Sequence, residues 1–354
     1  MPFFRPRPDP ARARRVLAAA AAAFLLGQLA VGAAWDRAPL HVRFPQGSKV
    51  VSSAGRMGDA PYVALFGTSR FRNIDLDAVV VGLGPALAGA TPRVFQGSVL
   101  AGDPVIIDYL LREILAEGPG PALAVIEISP ETLSYPAHWL MDHVTRIYTL
   151  RDVFGNLGEI AARGRLGDVA ERRLLAASVY RRELLTWLTG RPPPYLHATR
   201  PEPQPSARRL PRRSPLGVPA STASPEPTPS TISGLRRVEK WLSDYRIGGS
   251  ESRALEAILE RCRQAGIRAV LVGAPVTSFQ RALYTPVVEG HFQALLLELA
   301  LAGVDVDFVD YRSRVPDALF EDNHHLNDEG GRYFGEILGR EVIAPRWERR
   351  LAGR

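Results

Sequence analysis

Five short apolar segments, each bounded by turn residues and set apart from the next by a helical periodicity, constrain this chain more than any other feature. They are residues 63–66, 93–95 (running into Gln96-Gly97-Ser98), 122–128, 268–272 and 304–309. Most are rich in Val, Ile, Leu or Ala, as strands covered on both faces of a parallel sheet tend to be. Between them, residues 103–117 carry Ile106, Ile107, Leu110, Leu111, Ile114 and Leu115 on one broad stripe, and residues 251–265, 286–302 and 331–343 give three further helices. Strand alternating with helix predicts an α/β fold, a three-layer sandwich around a five-stranded, mainly parallel sheet.

The alternation stops between the third and fourth strands. Residues 132–190, with Trp139, Leu140, Val144, Ile147, Tyr180 and Leu184 among their apolar positions, read as a helical insertion. Residues 191–233 run from Arg191-Pro192-Pro193-Pro194 to Ser224-Pro225-Glu226-Pro227-Thr228-Pro229-Ser230. A composition so poor in apolar side chains does not offset the entropy of ordering, which predicts a disordered Pro-rich linker. The α/β domain then takes residues 61–131 and 234–345, preceded by a stalk without clear period over 36–60 and followed by a basic tail over 346–354.

Residues 16–35 read VLAAAAAAFLLGQLAVGAAW, 20 residues with no formal charge, and Arg5, Arg7, Arg12, Arg14 and Arg15 precede them. That length crosses a bilayer, and the arginines place residues 1–15 in the cytoplasm and residues 36–354 outside. A cleaved signal peptide is the alternative, with Gly32 and Ala34 as the small residues before the cut; it would leave the body secreted. The apolar stretch exceeds a usual signal core, which favours a retained anchor. The formal charge of +7 is concentrated in the tails and the Pro-rich stretch. Such a distribution suits attraction to a membrane surface and argues against nucleic acid as a partner. The only lysines are Lys49 and Lys240, so a GC-rich coding bias accounts for much of the arginine. The single cysteine, Cys262, excludes an intrachain disulfide and a cysteine-built metal site.

Two segments at opposite ends carry the chemistry. Gly67-Thr68-Ser69-Arg70 follows the first strand directly, and Asp322-Asn323-His324-His325-Leu326-Asn327 precedes the last helix. In an open parallel sheet, ligands bind beyond the carboxyl ends of the strands. Brought together there, Ser69, His325 and Asp322 form a nucleophile, a base and an orienting acid. Taken singly, Ser69 reads as a polar turn residue, Asp322 or Asp328 as a helix cap, and Asp103 as the cap of the helix after it. A metal held by Asp322, His324 and His325 ranks lower, because no further histidine or acidic cluster lies nearby. Glu127, inside an apolar strand, is either site-facing or salt-bridged, and Trp139 and Trp187 fit a helical core.

Gly-Thr-Ser-Arg, Phe95-Gln96-Gly97-Ser98, Ile126-Glu127-Ile128-Ser129-Pro130 and Asp322-x-x-His325-Leu326-Asn327 together resemble the SGNH (GDSL-like) hydrolase superfamily. The likeness is to its membrane-anchored bacterial branch of cell-envelope O-acetyltransferases and the D-alanyl transfer protein of teichoic acid synthesis, and it covers residues 60–130 and 266–343. It implies Ser69 as nucleophile, His325 as base and Asp322 as orienting acid, with the N–H groups of Ser69 and Gly97 as an oxyanion hole. The family's third-block asparagine has no counterpart, since no Asn lies between Asn73 and Asn156. Gln96 or Ser129 stands as its substitute, and Arg70 and Ser129 as contacts to substrate. The implied function is an extracytoplasmic serine esterase or O-acyltransferase acting on acyl esters of envelope glycans, without metal or organic cofactor. Its partners would be an acylated glycan or lipid-linked substrate and an integral-membrane acyl donor protein. The alternative is a catalytically degenerate scaffold or glycan-binding protein. A flavodoxin-like ligand binder ranks third, because the first strand-to-helix loop lacks a phosphate-cradling glycine run.

Overall fold

The computed structural model describes residues 10–84, 87, 91–190, 226–302 and 306–352. They fall into two compact units, one drawn from Met1–Phe44 and Val144–Leu210, the other from Pro45–His143 and Pro211–Arg354.

The larger unit is built on β1 (Tyr62–Phe66), β2 (Arg93–Gln96), β3 (Leu123–Ile128), β4 (Arg268–Gly273) and β5 (Phe308–Asp310). All pair in parallel, in the order β2-β1-β3-β4-β5, with Val63 opposite Val94 and Leu123, and Leu271 opposite Phe308. This is the three-layer α/β arrangement that the alternation predicts. In this order the connections leaving β1 and β3 run to opposite sides, so a crevice opens beyond their carboxyl ends. The fifth segment was expected over 304–309; residues 303–305 lie outside the described residues, and β5 starts at Phe308.

On one face of the sheet, Val63, Leu65, Leu123, Val125, Val270 and Val272 share a single buried cluster with residues of four helical elements. These are α4 (Ser69–Arg72), α5 (Leu76–Gly82), α17 (Asp328–Ile337) with the π-helical turn Leu338–Ile343 that continues it, and α18 (Ala344–Ala352). Alternate strand residues such as Ala64, Phe66, Ala124 and Ile126 point to the other face by the two-residue period. That face is covered by α6 (Pro104–Glu117), α14 (Gly249–Gln264) and α16 (Pro286–Leu301), whose Ile106, Leu110, Ile258 and Phe292 are buried. Also in this unit are α3 (Pro45–Gly55), the start of α7 (Leu140–Arg146), α13 (Pro229–Leu242) and α15 (Ser278–Arg281). Asp103 caps α6 by accepting from Ile106 N, and its other oxygen meets buried His143 at 2.7 Å.

Three segments differ from the sequence expectations. Residues 36–60 are largely helical, and α3 buries Val50, Val51 and Ala54, a face too short to give a readable period. Residues 346–352 are not a tail, because α18 buries Trp347 and pairs Arg346 with Asp307. Of the expected linker, residues 191–225 lie outside the described residues, while α13 starts as early as Pro229. There Thr228 caps the helix and Pro229 takes the first-turn position where its missing N–H costs nothing.

The smaller unit contains α1 (Pro10–Asp36), α2 (Leu40–Arg43), α8 (Leu150–Gly155), α9 (Leu157–Ala162), α10 (Leu166–Leu174), α11 (Ala176–Val179) and α12 (Arg181–Thr189). Trp35, Ala38, Val42, Ala176 and Tyr180 form its buried cluster, with the Trp35 and Tyr180 rings stacked at 4.1 Å. Helix α1 is long and apolar enough to cross a membrane or to act as a signal sequence.

In the larger unit, α17 and its π-helical continuation lie against α5 backbone to backbone. A Cβ at Gly335 would sit 2.7 Å from Asp75 O, and one at Gly339 would sit 2.2 Å from Val79 O. Gly339→Ala should therefore lower stability by about 1–3 kcal/mol, the usual cost of overpacking. Gly290→Ala, in α16 with open space at the same position, should raise it by about 0.5–1 kcal/mol. Urea unfolding of the two variants checks both signs.

Candidate active site

The first segment is shaped by an acid from the neighbouring strand. Gly67 leaves β1 with no room for a side chain, since a Cβ there would lie 2.4 Å from Glu127 Oε2. Glu127 Oε2 accepts from Thr68 N at 2.7 Å, and Thr68 Oγ1 also donates to the carboxylate at 3.0 Å. The same hydroxyl oxygen accepts from Arg70 N, so Thr68 caps α4 and turns the chain sharply. Ser69 opens that helix and is half-buried.

The second segment is a closed loop, pinned by a bridge between Phe320 and Leu326 and by buried Leu326. Within it, Asp322 Oδ1 accepts from the backbone N–H groups of His324 and His325, at 2.9 and 2.8 Å. Its other oxygen, Oδ2, lies 2.7 Å from His325 Nδ1, and His325 Nε2 lies 2.7 Å from Ser69 Oγ. The structure thus brings together the three residues chosen from the sequence, which are separated by 253 or more positions on the serine side. A further tie aligns the two segments, because Asn73, just past α4, donates to Leu326 O at 3.0 Å. Burial alone would raise the Asp322 carboxyl. The hydrogen bonds from the His325 ring and from the backbone of His324 outweigh it and hold the group far below the usual carboxylate range. An ionised Asp322 leaves the proton on His325 Nδ1, so Nε2 faces Ser69 as an acceptor.

The other expected site residues are placed differently. Arg70 is only 5% exposed. Its Nε donates to Glu127 Oε1 at 2.6 Å, its Nη1 to Glu131 Oε1 at 2.7 Å and its Nη2 to Ser129 Oγ at 2.7 Å. Neither Arg70 nor buried Ser129 faces a substrate, because each is consumed inside the protein. Gly97 N donates to Leu65 O at 2.8 Å, extending the ladder between β2 and β1. The Gln96 amide donates to Phe71 O at 3.0 Å and accepts from Ser98 N at 3.0 Å. The oxyanion donor expected from Gly97 is therefore already spent, and one of the two N–H groups of the Gln96 amide is engaged as well. Among the described residues, the N–H of Ser69 is the expected backbone donor for which no partner is found.

Four residues that pattern reasoning missed complete the site's floor. Glu131 accepts from Gln280 Nε2 at 2.9 Å and from Tyr284 OH at 3.0 Å as well as from Arg70. Gln280 Oε1 in turn accepts from Asn323 Nδ2, and the same amide nitrogen lies 2.8 Å from His324 Nδ1. A carboxylate only accepts, so Glu131 orients the Gln280 amide, which orients Asn323, which donates to His324 Nδ1. The 3.2 Å approach of Gln280 Oε1 to that ring nitrogen is then a contact across the shared donor rather than a second bond. His324 is left as the tautomer with its proton on Nε2. Asn323 and Gln280 are fully buried, but only their depth marks them, and depth has no local sequence signal. Asp322, His324 and His325 bring potential ligand atoms within 4.8 Å of one another. Both Asp322 oxygens are engaged by the loop itself, however, which does not suit a cation.

Removing one partner of a buried ion cluster strands the others. Arg70→Met should cost about 3–5 kcal/mol in chemical denaturation, and Arg70→Lys should recover only part, since an ammonium lacks the planar fork. Burial, and then the Arg70 cation, push the His324 ring down to about 3. The unfolded chain binds a proton there below about pH 6.5 while the folded chain does not, so stability is full above that pH and drains as pH falls. Acidification from pH 7 to 4.5 should remove about 2–3 kcal/mol through this ring, and His324→Gln should lose most of that sensitivity in urea midpoints. Neither a scan against protein-family models nor a search of curated proteins returns a match for this chain.

Proposed function

We propose that this chain is a membrane-anchored, extracytoplasmic serine esterase or O-acyltransferase of the SGNH type, acting on acyl esters of cell-envelope glycans. The observation that carries this reading is the relay from Ser69 Oγ through His325 Nε2 and Nδ1 to Asp322 Oδ2, with both contacts at 2.7 Å. Ser69 Oγ attacks the ester carbonyl carbon as its proton passes to His325 Nε2, and Asp322 stabilises the imidazolium. The tetrahedral intermediate collapses, the leaving alcohol takes the proton, and an acyl-serine remains. Water or a sugar hydroxyl then repeats the step in reverse, with His325 again accepting and returning a proton. The N–H of Ser69, in the first turn of α4, is the donor that this reading assigns to the developing oxyanion. No step requires a metal or an organic cofactor.

The choice of a glycan ester and an integral-membrane acyl donor follows from the motif likeness and from the anchor. Packing in the smaller unit supports a retained anchor over a cleaved signal: a cut after Ala34 would sever Gly32 from Trp35, both of which α1 buries. With the arginines before the span held in the cytoplasm, the body faces outward.

A second reading, a degenerate scaffold or glycan-binding protein, draws on the spent Gly97 donor. A fluorophosphonate probe separates the two, since an enzyme is labelled at Ser69 and a scaffold is not. Ser69→Ala should lower kcat for an activated acetyl ester by about 10³-fold or more without moving the urea midpoint. Undiminished turnover by the variant would refute the assignment.

A further inference from the structure

The segment 173–180 of the smaller unit packs along α1 from Gln28 to Asp36. Four contacts define it. Arg173 Nη1 pairs with Asp36 Oδ1 at 2.7 Å, and the Tyr180 ring stacks on Trp35 at 4.1 Å. Ala176 packs over Gly32, whose Cβ position lies 3.8 Å from Ala176 Cβ, and Ala177 N donates to Gln28 Oε1 at 2.9 Å. Asp36 is where α1 ends, and the uncharged run below it reaches back to Val16. At a rise of about 1.5 Å per residue this run is about 30 Å long, the thickness of a hydrocarbon core, and Gln28 lies about 10 Å below Trp35. A neighbour that hydrogen-bonds Gln28 therefore sits inside the outer leaflet whenever α1 spans.

The side chains around that contact suit such a place. Leu174 and Leu175, next to Ala176, are 43% and 38% exposed, and α12 leaves Trp187 and Leu188 at 46% and 75%. The only polar side chain of α1 between Val16 and Trp35 is Gln28, and the segment satisfies its carbonyl oxygen with a backbone N–H. Trp is a residue of the membrane interface, and arginines extend charged heads toward lipid phosphates while their stems stay in apolar surroundings. Arg181 and Arg182 are exposed at the start of α12.

From this we infer that α10 to α12 form a lipid-seated collar around the anchor, with the end of α10 and α11 entering the outer leaflet and α12 lying at its surface. The occupant of the exposed leucines is the bilayer itself. This inference rests on the anchor reading and goes beyond it, because a single span needs no collar.

The test uses the full chain in protein-free vesicles of phosphatidylcholine and phosphatidylglycerol. An environment-sensitive fluorophore is placed singly at Leu25→Cys, Leu175→Cys or Leu188→Cys; buried Cys262, whose thiol is pushed up to about 12 by burial, does not compete for label. Brominated lipid should quench all three probes, position 25 most deeply, and each should emit to the blue of its value in urea. Quenching at 25 with water-like emission at both 175 and 188 overturns the collar and leaves the anchor standing; an integral-membrane protein would then be the missing cover. Water-like emission at position 25 as well overturns the anchor reading itself.

Discussion

A guanidinium buried between two carboxylates organises the site. Arg70 reaches Glu127 and Ser129 from β3 and its continuation, and Glu131 in the turn that follows. Glu127 also holds Thr68, so one ionic cluster fixes both the turn that presents Ser69 and the strand beside it. Glu131 extends the cluster through Gln280 to Asn323, inside the loop that carries His325. Ser69 and His325 are therefore registered against each other from below as well as by their direct contact. Buried ion pairs contribute little net stability relative to apolar packing, and their better-attested role is to fix one arrangement among several. Here the arrangement fixed is the distance between a hydroxyl and a ring.

Much of this was legible in the sequence for a simple reason. Strands buried on both faces are apolar runs, and helices between them carry a 3.6-residue stripe, so β1 to β4 and α6, α14 and α16 were readable within a residue or two. Ser69, Asp322 and His325 were readable because their residue types and their places at strand or helix ends are local. The floor of the site was not. Gln280 and Asn323 look like ordinary polar loop residues until folding places them under His324. Gly97 misled in the opposite sense: a glycine after a strand suggests a free N–H, but pairing with Leu65 consumes it. Whether a donor is spent depends on register, and register is a property of two strands.

The short or charged segments failed for a related reason. Residues 36–60 and 346–354 lack a long apolar stripe, yet α3 and α18 each bury two or three side chains against a large neighbour. A helix docked onto an existing core needs less apolar surface than one that must nucleate it, since tertiary packing supplies most of its stability. Arg346 illustrates the point, because its pairing with Asp307 turns a nominally solvated residue into part of the docking surface.

The amide chain beneath the site has a polarity. Starting from an acceptor that cannot donate, each link can point only one way, and the order is set by Glu131 rather than by the histidine at the far end. His324 thereby shows its neighbourhood a hydrogen on one nitrogen and keeps its lone pair turned inward. Exchanging Gln280 for an acid would keep the acceptor that Asn323 needs but set a second carboxylate against Glu131. The break would then fall at the first link of the chain and not at the ring. The rim that carries His324 thus inherits its donors and acceptors from a carboxylate buried well beneath it.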